Sequence, residues 1–163
     1  MALTLPEIHA AKKTAIPSDW TEDERGRQRL TLSLEIEGAT VEGLFLRATA
    51  VRSLPDREVM FQLEYHPARE QLCRIDWRPL RPHRNGDVGP KAHRLREITG
   101  SHHHSFKLNW IPTKEQMRPN NLPIAEPILP DPSNFQQLLM VVSQEFRIDN
   151  LSGVPLPAWD LLL

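Results

Sequence analysis

Leu30-Thr31-Leu32-Ser33-Leu34-Glu35-Ile36 decides the fold: four aliphatic residues alternate with three polar ones. That two-residue period belongs to a strand with one face buried and the other exposed to water. The period returns at Val59, Phe61, Leu63 and Tyr65, and a looser version runs from Val41 to Val51. Gly38 separates the first two runs and Leu54-Pro55-Asp56 the next two. His66-Pro67-Ala68-Arg69 has the composition of a hairpin turn, and Gln71 to Arg78 follows as a fourth strand. Short connections between amphipathic strands imply an antiparallel meander.

Outward from this meander the elements are shorter. Leu5 to Lys13 reads as an N-terminal helix begun at Thr4 or Pro6. The charged stretch Ser18 to Arg27 reads as a loop. Pro79 to Lys91 carries three prolines and two glycines and is a loop as well. His93 to Ile98 is a short strand candidate. Ser105 to Trp110 is another, with Phe106, Leu108 and Trp110 on one side. Pro112 to Pro132 holds six prolines and predicts an ordered, extended wrap. Ser133 with Gln136 has the spacing of a capping box, and Phe135, Leu138, Leu139, Val142 and Phe146 make a helical apolar face up to Arg147. An apolar tail from Leu151 is expected to dock on the body. Together these predict an α+β fold: a curved antiparallel sheet of about five or six strands, with an N-terminal and a C-terminal helix on one face. One domain is expected over residues 1–163, with Pro-rich loops near 79–91 and 112–132.

Composition excludes several classes. Cys73 is the lone cysteine, so neither an internal disulfide nor a cysteine zinc cluster is available, and a reducing cytoplasm is the expected location. The first residues lack a basic region followed by an apolar core, so no signal peptide is expected, and no apolar run approaches a membrane span. The formal net charge is -1, which argues against a dedicated non-specific DNA binder. The charge is unevenly spread, however. Between His66 and Arg118 lie eleven of the twenty Lys and Arg, five of the twenty-one Asp and Glu, and six of the seven His. A cationic, histidine-rich middle between acidic flanks suits an anion, with groups that titrate near neutrality.

Three motifs carry that chemistry. Along Gln71 to Arg78, alternation sends Cys73, Ile75 and Trp77 one way and Arg74, Asp76 and Arg78 the other. Asp76 can then hold the Arg74 guanidinium or orient a histidine, while Arg74 meets a phosphate or carboxylate. A solvated strand face with a simple ion pair is the plainer alternative. Arg81-Pro82-His83-Arg84-Asn85-Gly86 is a stiff turn that presents His83 and Asn85, or an ordinary polar surface loop. In Gly100-Ser101-His102-His103-His104-Ser105-Phe106-Lys107, a strand would put His102 and His104 on one face and His103, Ser105 and Lys107 on the other. A His-x-His pair can chelate a metal, or supply acid and base for phosphodiester cleavage. An exposed polar loop is the competing reading, and three internal histidines are too few for a tag. Carboxylates nearby are limited to Asp76 and Asp87, so a metal site is not indicated and no cofactor is expected. Metal-free RNA cleavage fits better, with Arg74 and Lys107 stabilising the charged phosphorane. There is no Gly-x-Ser-x-Gly elbow, phosphate loop or dinucleotide glycine motif.

The order Arg74-Ile75-Asp76, Pro82-His83-Arg84-Asn85, then His102-His103-His104 before an aromatic resembles a pattern of small bacterial and phage proteins. It is similar to an uncharacterised prokaryotic family over roughly residues 60–157 and, in shorter form, to the TumE-like toxins of toxin–antitoxin pairs. Ser101 stands where that pattern has proline, and the interval from His83 to His102 is longer here. The resemblance implies functional weight on Arg74, Asp76, His83, His102 and His104. The expectation is therefore a small metal-independent ribonuclease of toxin or phage-defence type. Its partners would be RNA and a small antitoxin or other protein, with Arg78, Arg81, Arg84, Asn85 and Lys107 as binding residues. The alternative is a non-catalytic phage- or plasmid-encoded inhibitor that uses the same basic patch to grip nucleic acid or an acidic protein.

Overall fold

The computed structural model describes residues 2–161. Helix α1 (Leu5–Ala10) opens on a reciprocal cap: the Glu7 N–H donates to Thr4 Oγ1 and the Thr4 N–H donates to Glu7 Oε2. Strands β1 (Thr14–Ala15) and β2 (Thr21–Glu22) are two residues each, so the charged stretch before Arg27 is not wholly loop. The meander follows as β3 (Arg27–Ile36), β4 (Ala39–Val51), β5 (Val59–Tyr65) and β6 (Glu70–Trp77). Then come β7 (His83–Arg84), β8 (Glu97–Ile98), β9 (His102–His104), the short helix α2 (Phe106–Asn109), β10 (Trp110–Ile111), β11 (Gln116–Met117), β12 (Glu126–Pro127) and helix α3 (Phe135–Phe146).

The fold is α+β with antiparallel pairing throughout its sheets. The main sheet runs β1-β3-β4-β5-β6-β9-β12, with β2 also on β3, and two ribbons stand apart, β7-β8 and β10-β11. Eight strands in the main sheet exceed the five or six expected. The excess comes from β1, β2, β9 and β12, each two or three residues long and too short to show a period. A second correction concerns Ser105 to Trp110. It is not a strand, because the Ser105 hydroxyl accepts from the Leu108 N–H and starts α2. Helix α3 begins one residue later than its sequence signal: Asn134 caps Gln137, and the Ser133 N–H is taken up by Gln137 Oε1.

The register sorts the chemistry. Leu30, Ala48, Phe61, Ile75 and His103 pair in turn across β3, β4, β5, β6 and β9, and this row is buried. Phe61 meets Phe135 of α3 and His103 meets Phe146, so α3 lies on that side. Two further rows face the other way. One is Thr31, Arg47, Gln62, Arg74 and His104; the next is Arg29, Thr49, Met60, Asp76 and His102. Leu151, Val154 and Pro157 are buried, and Trp159 packs edge-on against Phe135, so the tail docks as expected.

One buried cation ties the ends of two helices together. Lys13 is fully buried, and its Nζ donates to the carbonyls of His9, Ala11 and Phe146 at 3.0, 2.7 and 2.9 Å. These lie at the C-terminal ends of α1 and α3, where carbonyls lack intrahelical donors and the helix dipole favours a positive charge. Burial pulls Lys13 down to about 8, which leaves it protonated at neutral pH. Lys13→Met keeps the aliphatic stem but strands three carbonyls, so urea denaturation should show a loss of about 3 kcal/mol. Lys12→Met, at an exposed neighbour, should change stability by less than about 0.5 kcal/mol. Equal effects would refute the role given to Lys13.

Candidate functional site

Strand β6 turns Arg74 and Asp76 away from Cys73, Ile75 and Trp77, as alternation requires, and the latter three are fully buried. Antiparallel pairing sets Arg74 opposite His104 and Asp76 opposite His102. The β7 ribbon then brings His83 over both rings, with centroids 5.4 Å from His102 and 4.6 Å from His104. Arg74, Asp76, His83, His102 and His104 therefore form one cluster from three separate segments. Arg74 Nε donates to Asp76 Oδ2 at 2.9 Å. Asp76 Oδ2 also lies 3.3 Å from His102 Nε2 and 3.4 Å from His104 Nε2. One nitrogen from each of the three rings falls within 4.8 Å of the others, the only such trio of potential metal ligands among the described residues.

Backbone carbonyls fix how each ring is presented. A carbonyl only accepts, so the nitrogen facing it carries the hydrogen. His104 Nδ1–H donates to the Leu122 carbonyl at 2.6 Å, and His102 Nδ1–H to the Gly100 carbonyl at 2.9 Å. His83 Nε2–H donates to the Pro123 carbonyl at 3.2 Å. Arg74 Nη2 sits 2.9 Å from His104 Nε2, and since a guanidinium has only donors, that nitrogen presents a lone pair. The expected Pro-rich wrap thus exists, and two of its carbonyls set ring tautomers. Asn120, Asn121 and Leu122 all have positive φ. For a leucine this left-handed conformation costs on the order of 1 kcal/mol, and it aims the carbonyl at His104.

Burial acts on His83, His104 and Asp76. It lowers His83, and it brings His104 to about 4 despite the neighbouring Asp76. For Asp76 burial alone would raise the carboxyl, but the Arg74 guanidinium bonded to it helps hold it well below the usual carboxylate range. The side chains of His104 and His102 are 0% and 4% exposed, those of Arg74 and Asp76 22%. Asp76 lies at the edge of a groove of about 290 Å³ that includes Arg27, Arg29, Thr49, Glu58, Met60 and Pro79. This groove gave no sequence signal beyond Arg29 standing on the polar side of β3.

The residues expected to bind do not join the cluster. Arg78 is committed elsewhere: its Nε donates to Asp131 Oδ2 at 2.8 Å, and its guanidinium lies 4.7 Å from the Trp77 ring. Asn85 is buried and structural, with its amide bonded to the carbonyls of His93 and Ala125 and accepting from the Ala125 N–H. Arg81, Arg84 and Lys107 are exposed and make no side-chain hydrogen bond or ion pair among the described residues. Lys107 does not share a strand face with His103 and Ser105, because the strand stops at His104 and Lys107 belongs to α2. Comparison of the chain with protein-family models, curated proteins and solved structures finds no match in any of the three. Among the described residues no helix is long and apolar enough to cross a membrane.

Two histidines outside the cluster serve packing. His9 stacks on Phe106 at 4.7 Å, and His103 lies in the core beside Phe146. Burial brings both from the ordinary 6.5 to about 4; Lys13 and Arg147 add to the shift at His9, and His104 to that at His103. The unfolded chain therefore takes up these protons at a higher pH than the folded one. Stability is fully present above 6.5 and falls as pH drops towards 4. His9→Phe preserves the stack without the titration, so its Tm should decline less than wild type between pH 6.5 and about 4. Identical declines would show that His9 does not contribute.

Proposed function

We propose that the protein is a small ribonuclease of toxin or phage-defence type, and that it cleaves the phosphodiester backbone at the Arg74, Asp76, His83, His102 and His104 cluster. The observation that carries this reading is convergence: five polar residues from three separate segments meet beside a groove that also holds Arg27 and Arg29. A surface that merely attracts anions needs no such convergence. Arg29 makes no ion pair among the described residues and would take a phosphate in the groove, with Arg74 receiving the charge that develops on the reacting phosphoryl group. The resemblance to TumE-like toxins points to the same residues.

Metal-free cleavage suits this cluster poorly. It needs two rings that trade protons with the substrate, whereas His102 and His104 are almost wholly buried and each has a ring nitrogen bonded to a carbonyl. The competing reading, a binder without catalysis, is favoured by one observation: Arg81, Arg84 and Lys107 are exposed and unpaired among the described residues. A binder of that kind loses affinity gradually with each charge removed and weakens steeply with salt.

The two readings separate in a cleavage assay on labelled single-stranded RNA and DNA. Wild type should cleave RNA. Asp76→Asn should reduce the rate by about a hundredfold or more, and Arg29→Ala by about tenfold, while Arg81→Ala changes it little. RNA bound but never cut, with Arg81→Ala and Arg84→Ala as costly as Asp76→Asn, would overturn the nuclease in favour of the binder.

A further inference from the structure

The three imidazoles are arranged as ligands. The geometry points to a divalent transition-metal site of the zinc class, formed by His83, His102 and His104, with Asp76 beside the last two. It rests on the same cluster as the nuclease reading but not on any cleavage chemistry.

Two observations carry it. The first is spacing. Zinc bonds of about 2.0–2.1 Å place the ligand atoms of a tetrahedral site about 3.3–3.4 Å apart. The ligand nitrogens of the three rings lie within 4.8 Å of one another and need only close from there, and Asp76 Oδ2 stands 3.3 and 3.4 Å from His102 and His104 Nε2 at their side. The second is the outer shell. A metal-bound histidine characteristically donates its other N–H to a carbonyl or carboxylate, which fixes the tautomer and aims the lone pair. All three rings do so, to Gly100, Leu122 and Pro123. The carbonyl of a leucine held at positive φ is one of the three.

Ligand chemistry sets the class of ion. Imidazole nitrogens suit zinc and its first-row neighbours, while calcium and magnesium prefer all-oxygen sets. Asp76, partly exposed beside the groove, is where the site would meet a substrate. An ion there supplies Lewis acidity next to Arg74.

The test uses the full, tag-free chain, stripped with chelator and dialysed against zinc, with metal per chain measured by mass spectrometry and Tm by calorimetry. Wild type should take up one zinc per chain, and its Tm should rise by about 5 °C or more at saturation. His102→Ala should lose this uptake. Because a buried ring can be needed for folding, His83→Ala is the deciding variant: it is half-buried and lies outside the main sheet. In chelator it should melt as a folded protein, and its zinc affinity should drop by about a thousandfold, beyond the roughly 10–100-fold that outer-shell changes commonly give. His93→Ala, which removes a histidine outside the trio, should bind like wild type. No stoichiometric uptake by wild type, or unchanged uptake by His83→Ala, overturns the site. Zinc bound without RNA cleavage leaves the site standing and removes the nuclease; cleavage that survives chelation, without uptake, does the reverse.

Discussion

Everything in the candidate site depends on the register between β6 and β9, which sets Asp76 against His102 and Arg74 against His104. A slip of one residue would turn the ionisable groups into the core and Ile75 and His103 out to the polar face. Burying an unpaired carboxylate or guanidinium there costs several kcal/mol, so the slipped pairing is strongly disfavoured. The core side fixes the same choice. Cys73, Ile75 and Trp77 are fully buried, and Trp77 Nε1–H finds its acceptor in the Pro132 carbonyl. Hydrophobic alternation on one face thus positions charged chemistry on the other.

The second constraint is the wrap that crosses the polar face. Asn109 holds it by donating to the Ile124 carbonyl and accepting from the Ile124 N–H, and Asn85 does the same at Ala125. Between these anchors and the left-handed run at residues 120–122, the Leu122 and Pro123 carbonyls are directed at two imidazoles. Burial and tautomer selection then act together. Burial disfavours a charge on His83 and His104, and each of the three rings has one nitrogen engaged by a carbonyl. A solvated polar strand face needs neither feature.

Much of this is legible in the sequence, for identifiable reasons. Strict alternation in β3, β5 and β6 is read directly from side-chain type, which yields the meander and the outward pair Arg74 and Asp76. The His-x-His spacing places His102 and His104 together because β9 is a strand. Two-residue strands escape such a reading because periodicity needs more residues than they have. Ser105 to Trp110 misleads because its apolar residues alternate, while the Ser105 cap that decides for helix is a single-residue signal. Arg78 looks like a binding residue because alternation ignores backbone conformation: at φ 47 it leaves the strand and turns to Asp131. The carbonyls of Gly100, Leu122 and Pro123 carry no side-chain signature, so the feature that gives the rings their direction lies outside anything a residue pattern can express.

The most direct measurement of the central claim is the tautomeric state of the three rings, read from long-range ¹⁵N–¹H correlation spectra of the metal-free protein at neutral pH. The account predicts hydrogen on Nδ1 for His102 and His104 and on Nε2 for His83, so that the lone pairs of His102 and His104 face Asp76. Hydrogen on Nε2 of His102 and His104 would show that the rings donate to Asp76 instead. The cluster would then be a hydrogen-bonded structural network rather than a site poised to receive a cation.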